Sequence, residues 1–181
     1  LAWVAWRSMG GARGKRLQAL MVLTLFLTFD LVMFGAFTRL TDSGLGCPDW
    51  PGCYGNASPI GAREEISAAQ DAMPTGPVTH GKAWVEMIHR YLASAVGVLI
   101  IAINVGVWRQ KRQWQREGRT GDEPLHPGWA VATLVWVCLQ GVFGAWTVTM
   151  KLFPAIVTLH LSGGLVLLAL LCAQAVRQVR T

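Results

Sequence analysis

His89 and His160 each lie inside a long apolar stretch, at a similar distance from its end. A histidine in a lipid-spanning helix is costly without a partner, so each is a functional candidate by default. Two at matching depth point to one ligand shared between helices. A heme iron held by one imidazole from each side suits that pair. The structural alternative is that each ring closes a buried hydrogen bond between helices.

Zinc fits less well, because it asks for three or four ligands in tetrahedral array. Cys138 and Cys172 sit nearer the inner side of their apolar stretches, too far from the histidines to complete such a site. Glu86 stands three residues before His89, on the same side of a helix. Its setting is neutral and hydrogen-bonded, ion-paired with an arginine, or poised to transfer protons. A carboxyl one turn from a heme ligand is well placed for the last role, which makes Glu86 the candidate catalytic group. Arg39 and Arg90, near stretch ends, are candidate contacts for heme propionates, since guanidinium binds carboxylate through two parallel bonds. Interfacial snorkelling is their alternative. Asp30, deeper in the first stretch, is expected to face a bundle interior and to bond Gln140; no further role follows for it.

The elements that must carry these residues are four apolar runs: 17–37, 83–108, 128–150 and 155–176. Each meets the ~20 residues needed to cross a bilayer as a helix. The expected fold is therefore an all-α membrane protein: one four-helix transmembrane domain over 1–181, with a long outer loop at 39–82. The net charge of +6 is distributed by topology and does not mark a nucleic-acid footprint. Arg7, Arg13, Lys15 and Arg16 precede the first run, Arg109 to Arg119 separate the second from the third, and Arg177 and Arg180 follow the fourth. The positive-inside rule then sets both termini in the cytoplasm. The first run is too long, and too poorly followed by a cleavage site, for a removable signal peptide. The chain begins at Leu1, and Met9 is an alternative start.

Counted inward from the outer side, His89 is about six residues in, or ~9 Å at helical rise, and His160 about five. Ser162, Gly163 and Gly164 follow His160 and would let a bulky planar group approach the backbone. Trp84, Trp108, Trp129 and Trp146 lie near run ends, where indoles anchor at interfaces. Pro127 and Pro154 stand at helix starts, where a missing N–H matters little. In the outer loop, 61–73 reads as a short surface helix, preceded by a Gly- and Pro-dense turn system. Cys47 and Cys53 sit in that system with five residues between them, on the oxidising side. A disulfide is expected there, either a structural staple or a redox pair exchanging with a thioredoxin-like reductant.

Three stretches in order, GAFTRLTDSGLGCPDWPGCYG (35–55), EMIHRYLA (86–93) and LQGVFGAWTVTMKLFPAIVTLHLSGG (139–164), closely resemble heme A synthase. The match is to the N-terminal half of the bacterial form with an outer-loop cysteine pair. The resemblance implies oxidation of the C8 methyl of heme O to a formyl group, by successive hydroxylations, for cytochrome oxidase assembly. It implies eight helices in two similar halves, each with two histidines. Carried over to this chain, His89 and His160 hold the heme O or heme A substrate, Glu86 is the essential glutamate, and Cys47 and Cys53 are the cysteine pair. Heme B would come from a second half or from a second copy in a homo-oligomer. Heme O synthase is the implied supplier, and the bacterial inner membrane the implied location.

The alternative class is a non-catalytic b-type cytochrome subunit that uses the same histidines for electron transfer. Glu86 discriminates the two, because only the enzyme needs it. A small transporter fits poorly, since no run is broken at its middle by proline.

Overall fold

The computed structural model describes residues 13–118 and 125–179; Arg7, Met9, Arg119 and Arg180, named above, lie outside the described residues. Within them the chain is helical: α1 (Arg13–Leu40), α2 (Arg63–Ala72), α3 (His80–Arg116), α4 (Pro127–Thr149) and α5 (Pro154–Val179). Four of these, all but α2, are long and apolar enough to cross a membrane. The expected all-α architecture with four spans is the one formed.

Helix ends follow local chemistry. Pro127 and Pro154 are the first residues of α4 and α5, where the fixed φ of proline is already helical. At the end of α1, Ser43 N–H donates to Thr38 O and Asp42 N–H to Arg39 O, with Asp42 at φ 52°. The end of α4 repeats the pattern: Leu152 N–H to Thr147 O, Lys151 N–H to Val148 O, Lys151 at φ 49°. Both are Schellman caps, which satisfy carbonyls that a helix end otherwise leaves unpaired. The segments beyond the two caps meet, the Leu152 side chain packing where a Cβ on Gly44 would sit. The α3 helix runs on past the apolar stretch to 37 residues, about 55 Å at helical rise. Its added turns, 109–116, hold strong helix formers, and their positive charge complements the helix C-terminus.

Two compact units divide the chain, and the long helices contribute to both. Unit 1 comprises the described parts of 1–29, 95–138 and 165–181. Its interior is apolar with a few polar side chains. Gln174 Nε2 donates to Trp129 O at 3.1 Å and also to the Thr133 hydroxyl, and Asn104 Nδ2 donates to Ala130 O at 3.0 Å. Arg177 lies over the Trp129 ring, 4.2 Å from its centroid, so that indole does more than anchor. Cys138 and Cys172 are free and exposed.

Unit 2 comprises 30–94 and 139–164 and contains every candidate site residue. On the part of α1 that belongs to unit 1, Leu17, Met21, Thr24 and Thr28 form the buried stripe, and the threonine hydroxyls bond carbonyls one turn back. Asp30 lies some 200° around the helix from Thr28 by the 3.6-residue period. It is exposed, on the same face as Phe26, Phe29, Met33 and Phe37. That corrects the expectation that Asp30 turns inward toward Gln140. The register of the apolar stripe, set by Met21 and the two threonines, puts the carboxylate on the opposite side.

Candidate heme-binding site and its disulfide-stapled loop

One face of α3 binds the first loop. Ala83, Glu86, Met87 and Arg90 follow the helical spacing that aligns side chains, and the first three are buried. The loop backbone reaches this face at Gly46, where a Cβ would collide with the peptide joining Lys82 to Ala83. Glycine is required there by the close approach. Cys47 N–H then donates to Glu86 Oε2 at 2.7 Å. The other carboxylate oxygen, Oε1, pairs with Arg90 Nη2. Arg90 Nη1 donates onward to Gly52 O at 2.6 Å and Pro51 O at 3.2 Å. At the next residue, Tyr91 O–H donates to Ala57 O at 2.6 Å.

Cys47 and Cys53 form a disulfide between Cα atoms 4.9 Å apart, and both are fully buried. The bridge sits in a small core with Ala62 and Ile66 of the α2 region and Ala83 and Met87 of α3, flanked by Tyr54 and Val78. Asp49, within the bridged segment, closes the turn that follows Cys53, accepting Tyr54 N–H and Gly55 N–H, each at 2.7 Å. The α2 helix is the one expected at 61–73; His80 ties it down through Ser67 at 2.9 Å, and Gln70 accepts the His80 N–H. Burial of both sulfurs favours the staple over the redox-active pair, which needs an accessible sulfur.

His89 leaves α3 on the adjacent face and lies against α1. Its ring fills the space beside Gly35, where a Cβ would sit 2.9 Å from Cε1, and it is nearly parallel to Phe34, with centroids 6.3 Å apart. On α5, His160 lies in the same way against Gly144 of α4, 3.3 Å from the position of a Cβ. Nδ1 of each is buried and makes no hydrogen bond of ordinary geometry, with the Gln140 backbone beside the His160 ring. The interhelical hydrogen bond offered as their structural role is therefore not formed by Nδ1 of His89, while the Gln140 backbone remains beside the His160 ring.

Gly35 and Gly144 were not singled out by sequence reasoning, although a glycine inside an apolar helix is a signal of close approach. The glycines that were singled out do something else. Gln140 packs onto Gly163, and Val32 approaches Gly164, so neighbouring helices fill that space. Of the two arginines considered for propionates, Arg90 is committed to Glu86 and the loop. The Arg39 side chain is exposed. Of the settings considered for Glu86, the structure contains the arginine ion pair, together with the hydrogen bond from Cys47.

Imidazoles whose Nδ1 atoms make no hydrogen bond of ordinary geometry among the described residues, backed by glycines in place of side chains, fit a ligand that takes a lone pair from each. Buried polar atoms without partners call for such an explanation.

The family model described as cytochrome oxidase assembly protein, COX15-CtaA, matches residues 18–181. The chain belongs to that family. Among relatives, the heme A synthase of Shewanella oneidensis is 42% identical over 156 residues, which cover 86% of this chain and 44% of the relative. That of Lysinibacillus sphaericus is 28% identical over 159 residues, covering 88% and 44%. That of Sinorhizobium medicae is 30% identical over 146 residues, covering 75% and 37%. The chain thus spans less than half the length of these relatives. No solved structure matches it. Membership and the four spans make it a multi-pass membrane protein. The relatives lend no support to the alternative of a non-catalytic cytochrome subunit.

Proposed function

We propose that this chain is the substrate-binding half of a heme A synthase, a heme-modifying oxidoreductase that takes heme O as substrate. His89 and His160 would hold the substrate through its iron, and the C8 methyl would be oxidised to a formyl group. The observation that carries the reading is the pair of imidazoles in one compact unit, each against a glycine of a neighbouring helix with Nδ1 unpaired. Arg39 is the arginine left to meet a propionate. Heme B, as the resident cofactor, would be supplied by a second half or a second copy.

Glu86 is assigned proton handling from its place one turn before His89. Its bonds to Cys47 and Arg90 give it a second task, holding the stapled loop against α3. Placing the basic segments in the cytoplasm puts the loop and both histidines toward the outer face of the bacterial inner membrane. There the disulfide is stable without a reductant.

The test is conversion of heme O in membranes that contain this chain, with and without the remainder of a relative's length, followed by extraction and mass analysis. Formyl product that disappears in His89→Ala and in His160→Ala supports the reading. Product formed equally by both variants refutes it.

A further inference from the structure

A cavity of about 760 Å³ lies within unit 1, between α1 and α3, remote in sequence from the histidines. Its rim carries four guanidinium groups: Arg16 from α1 and Arg109, Arg112 and Arg116 from α3. The three on α3 are spaced three and four apart, so they share one face. Topology alone requires positive charge near a helix end, on any side of it. Here the charges are sorted by face. Lys111, on another side of the same turns, stacks 4.9 Å from the Trp114 ring centroid and does not line the cavity.

None of the four arginines has a carboxylate partner among the described residues. Glu117, the acidic residue at this end of α3, accepts a bond from Gln113 at 2.6 Å. A polar atom inside the site is also unused: Gln110 lines the cavity, and its Oε1 is buried without a hydrogen bond. The floor is apolar. Leu17 and Leu20 face Ala102 and Gly106, and the Leu17 methyl lies 2.7 Å from where a Gly106 Cβ would be, so the helices close together there.

We propose that this cavity binds the phosphate of an anionic phospholipid, with the guanidiniums on the headgroup and the floor against the first methylenes of an acyl chain. Guanidinium matches phosphate oxygens through paired bonds. Gln110 lines the same cavity and, on turning its amide outward, gives Oε1 to a headgroup hydroxyl, such as glycerol carries. Free phosphate shares the charge chemistry but has no use for the apolar floor.

Native mass spectrometry of the delipidated chain in a non-ionic detergent tests this. The probes are phosphatidylglycerol, phosphatidylcholine with the same acyl chains, and inorganic phosphate. Phosphatidylglycerol should bind at least about tenfold more tightly than phosphatidylcholine. R109Q/R112Q should weaken it about 25-fold, at roughly fivefold per guanidinium. The charge-matched control K15Q/K111Q should change it by no more than about twofold. A102W keeps every charge and fills the floor; it should weaken the lipid while leaving any phosphate binding alone. Equal loss in the two double variants would reduce the effect to general surface charge and overturn the site. Phosphatidylglycerol binding unchanged in A102W, or displaced by equimolar inorganic phosphate, would overturn the lipid assignment.

Discussion

The carboxylate of Glu86 accepts the backbone N–H of Cys47 at 2.7 Å, so the residue one turn before His89 holds the stapled loop to α3. The bond spans 39 positions of sequence and is buried. Its partner on the other oxygen, Arg90, carries the same tie onward to Gly52.

Removing that carboxylate should therefore do two separable things. E86A leaves the half-buried Arg90 without its anion, at about 3 kcal/mol, and frees the Cys47 amide. Hydrogen exchange should show the Cys47 N–H losing protection. E86Q keeps an oxygen for that amide and should retain most of the protection. Lost heme O conversion in E86Q with the amide still protected assigns proton handling to Glu86. Retained conversion reduces it to an anchor.

The disulfide should resist reductant in the folded chain, because neither sulfur is exposed. Thiol labelling after mild reduction should run more than about tenfold slower in native detergent than in denaturant, since access needs local opening. C47A/C53A should lower stability by about 2 kcal/mol, the loop-closure value for so short a ring, read as a fall in melting temperature. Equal labelling rates in the two conditions would restore the redox-active reading.

The glycines beside the imidazoles give a graded series. G35A brings a Cβ to 2.9 Å of His89 Cε1 and must displace the ring. G144A brings one to 3.3 Å of His160, which a shift of a few tenths of an ångström relieves. Heme content per chain should fall severalfold in G35A and less in G144A, with helix content by circular dichroism unchanged in both. The reverse order would mean that the rings are not held as described.

In unit 1, Gln174 is fully buried and bonds Trp129 and Thr133. Q174L removes the donor and leaves the Trp129 carbonyl and the Thr133 hydroxyl with one partner fewer. A loss of about 1–3 kcal/mol is expected, seen as earlier thermal unfolding with no change in heme content.

Much of this was legible in the sequence, for reasons particular to each element. Four apolar runs bounded by basic clusters predict four helices, and proline at 127 and 154 marks two of their starts. The E-M-I-H spacing puts Glu86 and His89 one turn apart, and two cysteines around Pro-Asp-Trp-Pro-Gly predict a short bridge. What a single chain does not display is which neighbour each face meets. Glu86 and His89 lie on adjacent faces, one turned to the loop and the other to α1, and only packing decides that. The same blindness sent Asp30 inward and gave Gly163 to a ligand instead of to Gln140. Gly35 and Gly144 went unremarked because their role exists only once α3 and α5 are set beside α1 and α4.

The central claim is that His89 and His160 together hold a heme. Its most direct test is the absorption spectrum, with heme extraction, of the chain purified after expression with a heme O supply, beside H89A, H160A and the double variant. The account predicts a low-spin, bis-imidazole spectrum in the parent chain and its loss in either single variant, with the double variant no worse than the singles. A parent chain without heme, or an unchanged spectrum in the double variant, would contradict it.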